Sequence, residues 1–159
     1  MNFSIREARP DDAAVIAAYN SAMANETENK VLDPGRVGPG VAALLHDSSM
    51  GRYWVAEGTE GVIGQLMVTF EWSDWRNGNI WWIQSVYVHR NWRRKGVFSG
   101  LYQHVKSLAE ATPGVIGLRL YVDTDNLRAQ QTYRALGMTT SDYRVMEDLF
   151  PDAGEQTEK

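Results

Sequence analysis

Two periods of hydrophobic and polar residues divide this chain into elements. Phe3 and Ile5 alternate with Ser4 and Arg6, which predicts a half-buried strand running to Ala8. Pro10-Asp11-Asp12 then opens a helix, since aspartate is favoured at the positive end of a helix dipole. Ile16, Tyr19 and Met23 mark its apolar face. Residues 25–40 are polar, with glycines and prolines, and read as a loop, after which Val41, Leu44 and Leu45 predict a second short helix. Arg52 to Glu57 and Val62 to Glu71 predict a strand pair around Gly58-Thr59-Glu60-Gly61. Asn77-Gly78-Asn79 is a hairpin signal that joins the second of these to a strand at Ile80–Val88.

Helical spacing returns at Val97, Leu101, Val105 and Leu108, and Thr112-Pro113-Gly114 ends that helix. Leu118, Leu120 and Val122 share one face of a strand over Val115 to Val122. Asp125 or Asn126 caps a helix through Leu136, with Gly137 at its C-terminal cap. Tyr143 to Leu149 predicts a last strand. The order β-α-α-β-β-β-α-β-α-β predicts an α/β fold. Its central sheet is expected to be mixed, mainly antiparallel, with six to seven strands and helices on both faces.

The 159 residues suit one domain, expected over 1–150, followed by a polar, disordered tail at 151–159. Hydrophobic residues, at 43%, are enough to fill a core. A net charge of -4 argues against general affinity for nucleic acid, so no nucleic-acid partner is expected. The chain has no cysteine, which excludes disulfides and thiolate chemistry and fits the cytoplasm, the expected location. No signal peptide is evident, and no apolar run approaches the ~20 residues of a membrane span, so no membrane partner is expected. His46, His89 and His104 show no metal-ligand spacing, and no metal is expected.

Candidate chemistry concentrates in Ile80 to Tyr102. An apolar strand enters a basic turn, Arg90 to Lys95, and Gly96 stands where the next helix begins. The first N–H groups of a helix lack partners and sit at the positive end of its dipole, so they bind anions. Arg93, Arg94 and Lys95 add full charges there. The turn is neither a P-loop nor a dinucleotide-binding turn. A solvated charge run is its ordinary alternative.

Arg93, Gly96 and Phe98, between a strand and an amphipathic helix, resemble the Q/R-x-x-G-x-G/A acetyl-CoA loop of the GNAT superfamily of N-acetyltransferases. Phe98 departs from the pattern, which has Gly or Ala there; its ring can turn into the core and leave its N–H on the loop. Asn126, Ala129, Tyr133 and Gly137-Met138 resemble the family's N-x-x-A-x-x-x-Y-x-x-x-G-F/M helix.

The resemblance implies an acyltransferase that moves an acetyl group from acetyl-CoA, a co-substrate, to a primary amine of a small molecule or peptide, by direct attack in a ternary complex. It implies that the turn of Arg93, Arg94, Lys95, Gly96, Val97, Phe98 and Ser99 binds the diphosphate. Val86 and Val88 would pair with the pantetheine amides as if these were an added strand. Asn126 would bind the CoA arm, the alternative being a helix cap. Tyr133 matches the family's general acid, the alternative being core packing with Ala129 and Leu136.

The acceptor amine, with an unperturbed pKa of ~10.4, must lose a proton, and a carboxylate can help to take it. Glu71 and Glu26 are the candidate bases. Glu28, Trp72, Asp74 and Gln84 are candidates for acceptor binding. The ordinary reading of each carboxylate is a surface charge. Trp72, Trp75, Trp81 and Trp82 cluster about the hairpin, where core packing or a homodimer interface is expected ahead of a substrate wall. A non-catalytic acyl-CoA-binding module of the same fold is the alternative function, and a nucleic-acid binder is the third.

Overall fold

The computed structural model describes residues 2–151. Its strands are β1 Phe3–Glu7, β2 Arg52–Gly58, β3 Gly61–Ser73, β4 Gly78–Val88 and β5 Val115–Leu120. They form one five-stranded sheet in the order β1-β2-β3-β4-β5. The first three pairings are antiparallel, and β4–β5 is parallel. The helices are α1 Ala13–Glu28, α2 Pro34–His46, α3 Val97–Ala111 and α4 Leu127–Ala135. None of the described helices is long and apolar enough to cross a membrane.

Strand alternation sorts side chains onto two faces. Trp54, Leu66, Val68, Trp81 and Ile83 pack against Val97, Leu101 and Val105 of α3. Tyr53 and Val55 pack on the other face against Ile16 of α1 and Val41 of α2. Helices therefore cover both faces, as expected.

Two expectations need correction. Residues 25–40 are mostly helical, because α1 runs on to Glu28 and α2 begins at Pro34. Asp33 caps α2 by accepting from the Gly35 N–H at 2.8 Å, and Pro34 occupies the first turn, where no N–H is needed. The proline and glycine there mark a helix start. The second correction is that Tyr143 to Leu149 is not a strand, so the described residues form a sheet of five strands rather than six to seven. The segment has an apolar pattern but no ladder partner; Tyr143 is 74% exposed and Met146 93%. Strand stability comes from cross-strand neighbours, which a pattern within one segment does not supply. The tail beyond Pro151 lies outside the described residues.

The relation of β4 to its neighbours positions the site. Its pairs with β5 run from Asn79↔Val115 to Ile83↔Leu120, after which β4 continues through Gln84–Val88 alone on that side. On the other side the register shifts. Gln65 faces Tyr87 and Met67 faces Gln84, so Ser85 and Val86 together oppose Leu66. This is a β-bulge, which bends the strand carrying the extra residue. The fork between β4 and β5 opens at this point.

Candidate active site

A buried polar chain holds the bulge. Gln65 is fully buried on β3. Its Nε2 donates to the Ser85 carbonyl at 3.1 Å and to Asn20 Oδ1 of α1 at 2.8 Å. Asn20 Nδ2 donates in turn to the Tyr53 hydroxyl oxygen at 3.2 Å. The Gln65 Oε1 atom has no partner among the described residues. Ser85 lies at φ 50, a left-handed conformation that serine adopts rarely.

The basic turn lies just beyond the end of β4. Arg94 at φ 61 and Gly96 at φ 80 are both left-handed, which curls the backbone before α3 starts at Val97. Among the described residues no side chain caps α3, which leaves its first-turn N–H groups, the type of group that binds anions, without a side-chain partner at the cap. Gly64 of β3 fixes this start: a Cβ there would stand 2.9 Å from Val97 Cγ1. Among the described residues the non-glycine residues at positive φ are Asn29, Asn77, Ser85 and Arg94. Asparagine tolerates that region, and the other two both flank the fork, where strain is characteristic of functional sites.

The Arg93 side chain does not project from the turn toward an anion. Its Nε donates to the Val88 carbonyl at 2.9 Å and its Nη2 to Glu26 Oε2 at 2.6 Å. Its guanidinium carbon lies 5.4 Å from the centroid of the Tyr87 ring. The Tyr87 hydroxyl donates to Glu26 Oε1 at 3.1 Å. Glu26, a candidate base, and Arg93, a candidate cofactor ligand, are thus partners. Arg93 holds the Glu26 carboxyl below the usual carboxylate range, with a smaller contribution from Tyr87. Arg94, Lys95 and Ser99 are exposed at the turn.

Phe98 turns its ring into the core beside α3, within 6.2 Å of Tyr102 and edge-on to Tyr133 at 5.8 Å between centroids. Tyr133 comes from α4, and its hydroxyl makes no hydrogen bond among the described residues. Burial pushes its pKa up, so it stays protonated at neutral pH. Asn126 caps α4, with Oδ1 accepting from the Ala129 N–H at 3.1 Å. Its Nδ2 keeps no protein partner among the described residues.

Other candidates lie further off. Arg119 of β5 donates to Glu71 at 2.6 Å, so this second candidate base is also paired. Glu71 faces Ile80, about 13 Å along β4 from Gln84 at strand spacing. Gln84 donates to Thr69 on the α1–α2 face. Trp72 faces Asn79, about 23 Å along β4 from Val86, and is 59% exposed. Asp74 accepts from the Trp75 N–H in the hairpin turn. The fold therefore separates Trp72 and Asp74 from the fork. Glu28 ends α1, two residues beyond Glu26. Trp81 is core, Trp82 meets the tilted Tyr121 ring at 4.5 Å between centroids, and Trp75 is exposed.

The sequence reading missed Tyr87, Gln65 and Asn20. Gln65 left a signal: a polar residue at an inward position inside the apolar run Val62 to Val68. A buried amide at such a point needs partners, and here it holds the bulge.

The sequence matches the Acetyltransferase (GNAT) family over residues 15–138, most of the chain. The chain belongs to this family. A GNAT domain uses acetyl-CoA, and the fork, bulge and uncapped helix lie within the matched residues. A possible acetyltransferase from Clostridium difficile 630 shares 45% identity and superposes with a TM-score of 0.88, covering 94% of this chain and 99% of that one. An integron cassette protein from the mobile metagenome of Cole Harbour Salt Marsh shares 25% identity at a TM-score of 0.80, covering 95% and 93%. An aminoglycoside acetyltransferase from an uncultured soil metagenomic sample, in complex with sisomicin, shares 16% identity at a TM-score of 0.73, covering 94% and 96%. That last likeness shows the fold alone. No curated protein matches the chain. Among the described residues of this GNAT domain, no three His, Asp or Glu side chains gather where a metal ion could be held.

Proposed function

We propose that this GNAT protein is an acetyl-CoA-dependent N-acetyltransferase for a primary amine of a small molecule or peptide, acting by direct attack in a ternary complex. One observation carries the reading. The unpaired end of β4, the uncapped start of α3 and the unengaged Tyr133 hydroxyl belong to adjoining elements, joined by the Phe98–Tyr133 contact.

These residues fit the co-substrate. The first-turn N–H groups of α3, with Arg94 and Lys95, would hold a diphosphate. The free edge of β4 about Val86 would take amides, as a sheet edge takes a strand. Asn126 Nδ2 is a further amide donor. Acetyl-CoA supplies an acetyl group activated as a thioester.

The chain's own residues divide the remaining work. Glu26 lies beside Tyr87 at the fork, whereas Glu71 lies farther down the sheet, so the acceptor amine is assigned to Glu26. A carboxylate with a lowered pKa pulls a proton weakly. Glu26 therefore accepts a hydrogen bond from the ammonium and orients it, and the proton leaves to water. Tyr133 holds a proton at its hydroxyl oxygen for the departing sulfur.

The test is thiol release from acetyl-CoA across a panel of primary amines, with the product identified by mass. Amine-dependent release is expected. The pairing of Glu26 and Glu71 with arginines favours a second reading, an acyl-CoA-binding module without catalysis. That reading requires acetyl-CoA binding with no turnover of any amine in the panel.

A further inference from the structure

Granting the N-acetyltransferase reading, on which this rests, we propose that Trp82 and Tyr121 form the wall that selects the acceptor. The acceptor is an arylalkylamine: one primary amine on a short chain from a planar ring. Trp82 is half-buried on β4, and Tyr121, just beyond β5, is 60% exposed. Their rings meet at 4.5 Å between centroids, tilted by 40°. Among the described residues, neither belongs to the apolar cluster under α3 or to the one under α1 and α2. The pair is therefore an aromatic surface outside both cores.

Register places this surface at the mouth of the fork, on the side of Glu26. Trp82 faces Thr69 of β3, Gln84 faces Met67 and Tyr87 faces Gln65. These alternate positions of β3 share the face covered by α1 and α2, where Met67 packs and Gln65 bonds Asn20. On β5, Arg119 is level with Trp82, and Leu120 with Ile83. Tyr121 is the next residue, where the two strands part. Tyr87 holds Glu26, the group assigned to the ammonium, through its hydroxyl at 3.1 Å. From the level of Gln84 to that of Tyr87 is two residues of β3, about 7 Å. A chain of two or three carbons sets a nitrogen roughly 5–6 Å from the centre of its ring. A ring against Tyr121 thus leaves its amine within reach of Glu26.

Charge narrows the class further. Glu71 and Arg119 lie on this face beside Trp82 and are paired at 2.6 Å, so the carboxylate next to the wall is already neutralised. A polyamine or an aminoglycoside carries further ammonium groups, which would meet the Arg119 guanidinium there. A neutral ring avoids that repulsion and finds a tilted aromatic pair, whose faces and edges suit offset or edge-on contact.

Steady-state turnover by the full chain at saturating acetyl-CoA tests this, comparing phenethylamine and phenylpropylamine with hexylamine and spermidine. The aryl amines should have kcat/KM at least ~10-fold higher. Tyr121→Ala should raise KM for phenylpropylamine about 10-fold and leave KM for acetyl-CoA and for hexylamine nearly unchanged. Tyr121→Phe should restore the wild-type KM. Hexylamine or spermidine turned over as well as the aryl amines overturns the inference, as does an unaltered KM in Tyr121→Ala. Both results leave the acetyltransferase reading standing. Acetyl-CoA bound without turnover of any amine removes that reading, and the wall's role with it.

Discussion

Phe98 meets Tyr133 edge-on, with ring centroids 5.8 Å apart. The contact ties the first turn of α3 to α4, so one pair of rings holds the candidate anion-binding turn beside the candidate proton donor. The family motif has a small residue at the Phe98 position. Here the ring packs inward, and among the described residues the first-turn N–H groups have no side-chain partner at the cap.

Tyr133→Phe preserves this ring contact and removes only the hydroxyl. kcat should fall about 100-fold, with KM for acetyl-CoA nearly unchanged, since general-acid groups contribute ~10²–10⁴ in rate. Steady-state thiol release at saturating amine measures it. An unchanged kcat would take Tyr133 out of the mechanism.

Glu26→Gln separates orientation from strong base catalysis. The Glu26 pKa is lowered, chiefly by Arg93, so the group stays ionised above the ordinary carboxylate range. It should therefore add no acid limb to kcat/KM between about pH 5 and 8. The limb seen there should belong to the acceptor amine and rise with pH. The variant should lower kcat/KM about 10-fold without moving that limb. A limb that disappears in Glu26→Gln would instead reveal a base with a raised pKa.

Gln65→Leu removes the clamp on Ser85 and leaves Asn20 and the Ser85 carbonyl without this donor. The stability cost should be about 1–3 kcal/mol, the usual effect of unpairing buried polar groups. If the clamp shapes the fork, KM for acetyl-CoA should also rise. Thermal melts with paired KM measurements check both, and a loss of stability with unchanged KM would make Gln65 purely structural.

Arg6 makes paired bonds to Asp12 and to Glu57, which tie β1, β2 and the start of α1 together. Arg6 holds the Asp12 carboxyl below its usual range. The stability from this pairing is present above the unfolded pKa of ~3.9 and is lost as the pH falls through the lower folded value. Asp12→Asn should lower the melting temperature at pH 7 and flatten its decline below about pH 4. Fluorescence melts across pH give the comparison. A variant as acid-sensitive as the wild type would assign that sensitivity to other groups.

The parts of the fold that depend on local chemistry were legible in the sequence. Asn77 adopts the left-handed conformation that its hairpin signal implied, and Asn126 is the helix cap it offered to be. The order of elements from Phe3 to Ala135 follows the periodicity. Tyr143 to Leu149 was not legible, because its pattern is that of a strand but its ladder partner is not set by the segment itself. The pairing of Glu26 with Arg93 and of Glu71 with Arg119 was equally hidden. Each joins residues far apart in the chain, and periodicity carries no information on which surface charges will meet. The motif located the donor end of the site, while the acceptor end depends on these side-chain partnerships.

Titration of acetyl-CoA into the full chain by calorimetry tests the central claim most directly, namely that the fork and the turn before α3 form one co-substrate site. One molecule per chain should bind, with Kd in the range of about 1–100 µM, weakened at least ~10-fold by the double variant Arg94→Gln, Lys95→Gln. No binding heat at about 1 mM acetyl-CoA, at two temperatures, would contradict it.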